Sequence, residues 1–166
     1  MSFKMNLDAD TAEFSDNALG APRGECIVEA KLSDLQVYTN DKGNDRVRLP
    51  FGVTNVLFGD AVQGQVVKDN LPVLTASSPG YEKGFWAKIV RSQDGRRPRG
   101  NLAISEDSLK KKAVYIHYVP AVDSSSYPTK TYLTRKEASD LAASLADRHV
   151  STGVEVQSGD DMDSPF

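Results

Sequence analysis

Two histidines, one cysteine and a scatter of carboxylates are the residues of this 166-residue chain that could do covalent or acid–base chemistry. His149 stands where the composition turns polar. His117 alternates with Tyr115 in Val-Tyr-Ile-His-Tyr, the pattern of a strand surface or margin. No histidine pair has metal-ligand spacing, and no H-x-E with C-x-x-C supports a zinc deaminase. A phosphate-cradling G-x-x-x-x-G-K-[ST] loop is absent. Glu106-Asp107 and Asp160-Asp161 are carboxylate pairs of the kind that hold magnesium for nuclease work, but both sit in polar segments ill suited to fixing metal geometry. Cys26 alone excludes an intramolecular disulfide and a zinc site of several thiolates. The expectation is a protein that is not an enzyme and uses neither cofactor nor metal.

Cations and rings are better placed. A protein that holds an unpaired polynucleotide needs bases to track phosphates and aromatic faces on which nucleobases stack. Lys42 lies in a turn, and Arg46 and Arg48 alternate with Val47, Leu49 and Phe51 in the strand that follows. Lys68, Tyr115, His117, Tyr127, Lys130 and Tyr132 fall on or near later strands and a loop. These nine residues are the candidate binding set. A second basic patch holds Arg96, Arg97, Arg99, Lys110, Lys111 and Lys112: residues 91–112 carry seven bases against three acids. Each residue also has a plainer reading. Arg46 and Arg48 could simply solvate an exposed strand face. Tyr115 and Tyr132 could be amphipathic core residues, and the lysine run a solubilising turn. Trp86 beside Phe85 suits packing, and Cys26 suits a small core position.

The elements that must position these residues are mostly short strands. From Gly24, Cys26, Val28, Ala30 and Leu32 alternate with polar residues; Leu35 and Val37 then continue out of step. A one-residue slip predicts a β-bulge, which bends a strand enough to serve both halves of a small barrel. Residues 39–45 read as a hairpin turn, 46–53 and 65–71 as the second and third strands, and 78–93 as a helix with Tyr81, Phe85, Trp86, Ile89 and Val90 at helical spacing. Residues 110–119 make a fourth strand, and 131–133 a fifth after a loop. Thr134 with Glu137 three residues on is a capping box opening a last helix. Five antiparallel strands with a helix between the third and fourth predict an OB-fold, a Greek-key barrel, followed by a C-terminal helix. An unrelated α+β sheet domain is the alternative. The predicted division is an arm over 1–22, anchored by Phe3, Phe14 and Leu19, a domain over 23–148, and a disordered acidic tail over 149–166.

Bulk properties agree with a soluble protein. Of its residues 39% are hydrophobic and 26% charged. No apolar run approaches the roughly 20 residues of a membrane helix, and no secretory signal opens the chain. A cytoplasmic protein with no membrane contact is expected. The net charge is −3, and Glu155, Asp160, Asp161 and Asp163 sit in a final stretch without Lys or Arg. Without those four acids the body carries 20 bases against 19 acids, a net charge of about +1. The anionic character therefore belongs to the end of the chain.

That end reads Asp160-Asp161-Met162-Asp163-Ser164-Pro165-Phe166. It resembles the acidic tip of bacterial-type single-stranded DNA-binding proteins, with Ser164 where that family has a bulky aliphatic residue. The body, with Pro22-Arg23-Gly24 before the first strand, is similar to bacteriophage single-stranded DNA-binding proteins. The resemblance implies binding of single-stranded DNA without sequence specificity in phage DNA replication, recombination and repair, in the host cytoplasm. It implies that Asp160, Asp161, Asp163, Pro165 and Phe166 dock replication and repair proteins, and it allows a homodimer. Independently, Phe166 supplies an apolar anchor, Pro165 restricts the free peptide, and the acids steer it to a basic rim. The competing expectation is a non-nucleic-acid adaptor whose barrel is a scaffold and whose tail docks a replication or repair protein. A small metal-dependent nuclease is the more distant one.

Overall fold

In the computed structural model the described residues are 20–156, and the surroundings of side chains are described for 20–148. The expected anchors Phe3, Phe14 and Leu19 and the tip residues Asp160, Asp161, Asp163, Pro165 and Phe166 lie outside the described residues. The elements are β1 (Cys26–Leu32), β2 (Gln36–Thr39), β3 (Asp45–Gly59), β4 (Val66–Pro72), α1 (Gly80–Asp94), α2 (Glu106–Lys110), β5 (Val114–Val119), β6 (Thr129–Leu133) and α3 (Arg135–Val156). The fold is mainly β, a curled antiparallel sheet with a few helices. No helix among the described residues is long and apolar enough to cross a membrane.

β3 is the centre of the sheet. It pairs with β2, β1 and β4; β1 pairs in turn with β5, and β5 with β6. Strict alternation along β3 turns Val47, Leu49, Phe51 and Val53 inward and leaves Arg46, Arg48 and Thr54 on the outside. The inner residues meet Cys26, Val28, Ala30 and Leu32 of β1, Val67 and Leu71 of β4, and Ile116 of β5. Each fully buried Leu, Ile or Phe here contributes about 1.5–3 kcal/mol relative to exposure. α1 stoppers one end: Ile89 is fully buried, and the Trp86 indole N–H donates to the Pro72 carbonyl at 2.7 Å.

Among the described residues, the outer face is covered on one half only. α3 lies over β1, β5 and the end of β3, and Ala138 and Ala142 pack on Ile27 and Tyr115 with Leu57, Phe58, Leu133, Leu141 and Leu145 around them. Its start is the expected capping box: the Glu137 N–H donates to Thr134 Oγ1 at 3.2 Å, and the Thr134 N–H donates to Glu137 Oε1 at 3.0 Å. Glu137 also takes a two-pronged bond from Arg91 of α1, at 2.9 and 2.6 Å. That guanidinium, with the Thr134 amide, holds the Glu137 carboxyl down at about 2. α3 runs on to Val156, past the Arg148 boundary expected from composition; no proline interrupts it.

Three other expectations change. The parity slip in the first strand is a break rather than a single bulge. Ser33 turns the chain there, its N–H and hydroxyl both donating to the Pro50 carbonyl at 2.9 and 3.0 Å. β1 itself carries register shifts at Ile27/Val28 and Glu29/Ala30. The fourth strand starts at Val114 rather than residue 110, because Ser105 and Ser108 cap each other and open α2. Finally, among the described residues no backbone ladder joins β4 to β6, the two edges that a closed barrel would pair. Side chains bridge that seam. Lys130 Nζ donates to the Lys68 carbonyl at 2.8 Å and faces Asp69 at 3.3 Å, and the Tyr132 hydroxyl donates to Asp69 Oδ2 at 2.6 Å.

Candidate nucleic-acid interface

The half of the outer face that α3 leaves open is formed by β2, β4 and the first half of β3. Tyr38 of β2 stands opposite Arg46 of β3, and Gln36 opposite Arg48. On the other side of β3, Asn70 of β4 faces Arg48, and Lys68 faces Pro50. Inward Val47 and Leu49 force Arg46 and Arg48 outward, so the register gathers two arginines, a tyrosine and an amide on one surface.

These groups are bonded to one another. Arg46 donates from Nε to Asn70 Oδ1 at 2.6 Å and from a terminal nitrogen to the Asn70 carbonyl at 3.1 Å. Asn70 Nδ2 donates to the Tyr38 hydroxyl at 2.6 Å. Arg48 donates to Gln36 Oε1 at 3.1 Å, and its guanidinium carbon lies 3.9 Å from the centre of the Tyr38 ring. Every partner in this network is neutral. Arg46, Arg48, Lys42 and Lys68 have no carboxylate partner among the described residues. Their positive charge is held in place but not cancelled, a suitable arrangement for phosphate. Lys42 sits at the head of the face, in a turn tied by Asn40 Oδ1, which accepts from the N–H groups of Lys42 and Asn44 at 3.0 and 2.9 Å. Asp45 beside it is engaged by the Thr39 hydroxyl at 2.8 Å.

At the foot of the face, Lys68 lines a hollow of about 260 Å³ with Val66, Tyr118, Gly20, Ala21 and Pro128. Pro128 brings the loop after β5 to this hollow, and its neighbour Tyr127 is 90% exposed. Asp123 orders that loop by accepting from the Ser125 hydroxyl and N–H at 2.7 and 2.9 Å, which keeps its carboxyl below the usual range. Tyr127 is thus an exposed ring in the loop that borders this hollow.

Four of the nine expected residues are elsewhere. Tyr115 is on the same sheet side but beneath α3, 9% exposed, with its hydroxyl donating to Glu29 at 3.1 Å. Burial first, then that carboxylate, pushes its phenol up. Its ring is a packing surface, not a stacking platform. His117, also on β5, bonds Glu25 at 2.7 Å. Lys130 and Tyr132 turn inward to Asp69, and the Tyr132 ring meets Phe51 edge-on at 6.0 Å. Burial and the Asp69 carboxylate raise the Tyr132 phenol well above its usual value. These two close the seam and are spent there. The basic patch also divides. Lys110 is paired with Asp34 at 2.7 Å and Glu106 at 3.1 Å, and Lys112 with Asp94 at 2.8 Å. Arg96, Arg97, Arg99 and Lys111 are exposed and have no carboxylate partner among the described residues.

Tyr38 and Asn70 were not among the expected residues. The signal for Tyr38 was present: after the parity slip it falls opposite Arg46 across the hairpin, so pairing through the 40–44 turn puts both on one face. Nothing in the sequence marks Asn70, because the β3–β4 register is set by a longer connection. No protein-family model matches the chain, and no match is found among curated proteins.

Proposed function

We propose that this protein binds single-stranded DNA without sequence specificity, as phage single-stranded DNA-binding proteins do during DNA replication, recombination and repair. The observation that carries the reading is the open face of β2, β3 and β4. There Arg46 and Arg48 are oriented by Asn70, Gln36 and Tyr38 with their charge uncancelled. Lys42 and Lys68 extend the cationic track to both ends, and Tyr38 and Tyr127 supply rings for base stacking. The groups aim at phosphates and base faces, and a contact set of that kind has little power to tell one base from another.

The curled sheet is read here as an OB-fold. β1 and β2 serve as one broken first strand, β3 and β4 as the second and third, and β5 and β6 as the fourth and fifth, with α1 after the third. Pairing of the first strand with both the second and the fourth supports that plan. The acidic tip, Asp160 to Phe166, is assigned the recruitment of replication or repair proteins on the strength of its resemblance. The host cytoplasm is the corresponding location.

The test is the anisotropy of end-labelled oligo-dT titrated with protein over a range of salt. Intrinsic tryptophan emission is a poor reporter, because Trp86 is buried and bonded to Pro72. Binding should weaken with salt at a slope of about −0.7 per phosphate contacted. Arg46→Ala with Arg48→Ala should lower the slope magnitude by about 1.4, and Tyr38→Ala should cost about 1–3 kcal/mol of affinity. Absence of binding at low salt rejects the reading and leaves the adaptor role.

A further inference from the structure

Away from the sheet face, one cationic cluster has no carboxylate partner among the described residues. α1 ends at Gly95, whose left-handed backbone (φ 81°) turns the chain out of the helix while its N–H closes on the Arg91 carbonyl at 2.8 Å. The turn releases Arg96, Arg97 and Arg99 into an exposed loop, where they line a hollow of about 510 Å³ with Asp94, Pro98 and Leu102. Asp94 is engaged by Lys112 at 2.8 Å and is not directed at the guanidiniums. Three like charges within four positions repel one another until an anion neutralises them. Pro98 and Leu102, the latter 48% exposed, add apolar surface beside them.

A chain of contacts links this hollow to the sheet face. Arg48 donates to Gln36 on β2. Two residues upstream, Asp34 takes Lys110 at 2.7 Å just after the β1–β2 break. Lys112 then takes Asp94, which adjoins Gly95. We propose that the 95–102 loop is a second phosphate-binding site for the same single-stranded DNA, reached by a strand that leaves the Arg46–Arg48 face and crosses the β1–β2 break. This rests on the single-strand reading above and adds the path and the length of the site. Asp34 places a carboxylate on the crossing, so it weakens binding of a strand long enough to pass it.

The experiment compares oligo-dT of about 5 and about 20 nucleotides, lengths chosen around the roughly 4–16 that one such fold covers. The variant carries Arg96→Gln, Arg97→Gln and Arg99→Gln. It should bind the longer strand on the order of tenfold more weakly at low salt and lose about 2 from the magnitude of its salt slope, three contacts at about 0.7 each. Binding of the shorter strand should change by less than about twofold, since the sheet face is intact. Replacing the same three arginines with lysine should retain the long-strand slope, and Asp34→Asn should tighten long-strand binding alone. The arginines are exposed, so an unchanged unfolding midpoint is expected of both triple variants. A Gln variant that keeps the wild-type long-strand slope overturns the second site and leaves the sheet face standing. Failure of the wild type to bind either length overturns both.

Discussion

Tyr132→Phe removes one oxygen from the seam between β4 and β6 and tests whether side chains hold the two sheet edges together. The ring and its edge-on contact with Phe51 are retained, so no cavity opens. What is lost is a 2.6 Å hydrogen bond to a carboxylate that is itself only 16% exposed. A hydrogen bond to a charged group contributes about 1.5–3 kcal/mol, and Asp69 keeps Lys130 and the Asn70 N–H as its remaining partners. For a domain of this size the loss corresponds to a Tm lower by roughly 5–10 °C, or a urea midpoint lower by about 1 M. Urea melts followed by the emission of Trp86 would measure it. The pH dependence is a second readout. Burial and Asp69 raise the Tyr132 phenol well above 10 in the folded protein, whereas an unfolded tyrosine ionises near 10. The unfolded state therefore releases this proton first, so the contribution is complete below about pH 10 and declines as pH rises toward the higher folded value. The variant should show a shallower alkaline loss than wild type. Tyr115, Tyr118 and the Cys26 thiol, also raised by burial, keep their own share. A midpoint within about 0.5 kcal/mol of wild type, together with an unaltered alkaline limb, would refute the idea that this contact holds the seam.

Two further substitutions probe the packing around the sheet. Ser92→Ala, on the buried side of α1, should destabilise by about 1–3 kcal/mol, because Ser92 Oγ accepts from the Tyr115 N–H at 2.8 Å and no water can reach a residue 1% exposed; chemical denaturation would measure the loss. Gly59→Ala should cost more, about 3 kcal/mol or beyond, since Gly59 has φ 93° and an added Cβ would run into the Glu25 carbonyl, with Cys26 Cα only 2.8 Å away. Soluble yield and thermal melting should both fall, and a variant with wild-type stability would show that the β3 end yields more readily than this contact implies.

The inner face of the sheet was legible because its signal is local. Alternation in 46–53 named Val47, Leu49, Phe51 and Val53, all buried, and with them the outward arginines. The Thr134 box was legible for the same reason, four residues being enough to specify it. What escaped depends on residues far apart in the chain. Tyr115 allows both a stacking and a core reading from its own strand, and only the placement of α3 over β5 decides for core. Lys130 and Tyr132 alternate like binding residues, yet they face inward to Asp69, 61 and 63 positions away. α2 was hidden by its brevity, since five residues are too few to show a helical period. Tyr38 takes its place on the face only through its pairing with Arg46 across the 40–44 turn, which its own short strand does not show.

The pairing of β1 with β5 also has a bearing on synthesis at the ribosome. Glu29 and Tyr115 touch across a separation of 86 residues, so the flank of β1 that meets β5 stays bare long after β3 has been made and can take the other flank. At translation speeds of about 5–20 residues per second, that flank waits roughly 4–17 s for its partner. Throughout this interval Ile27 and the open backbone amides of β1 are available to neighbouring nascent chains. A slow codon stretch between β4 and β5 would lengthen the vulnerable window, and a chaperone that shields extended strands would be most useful within it.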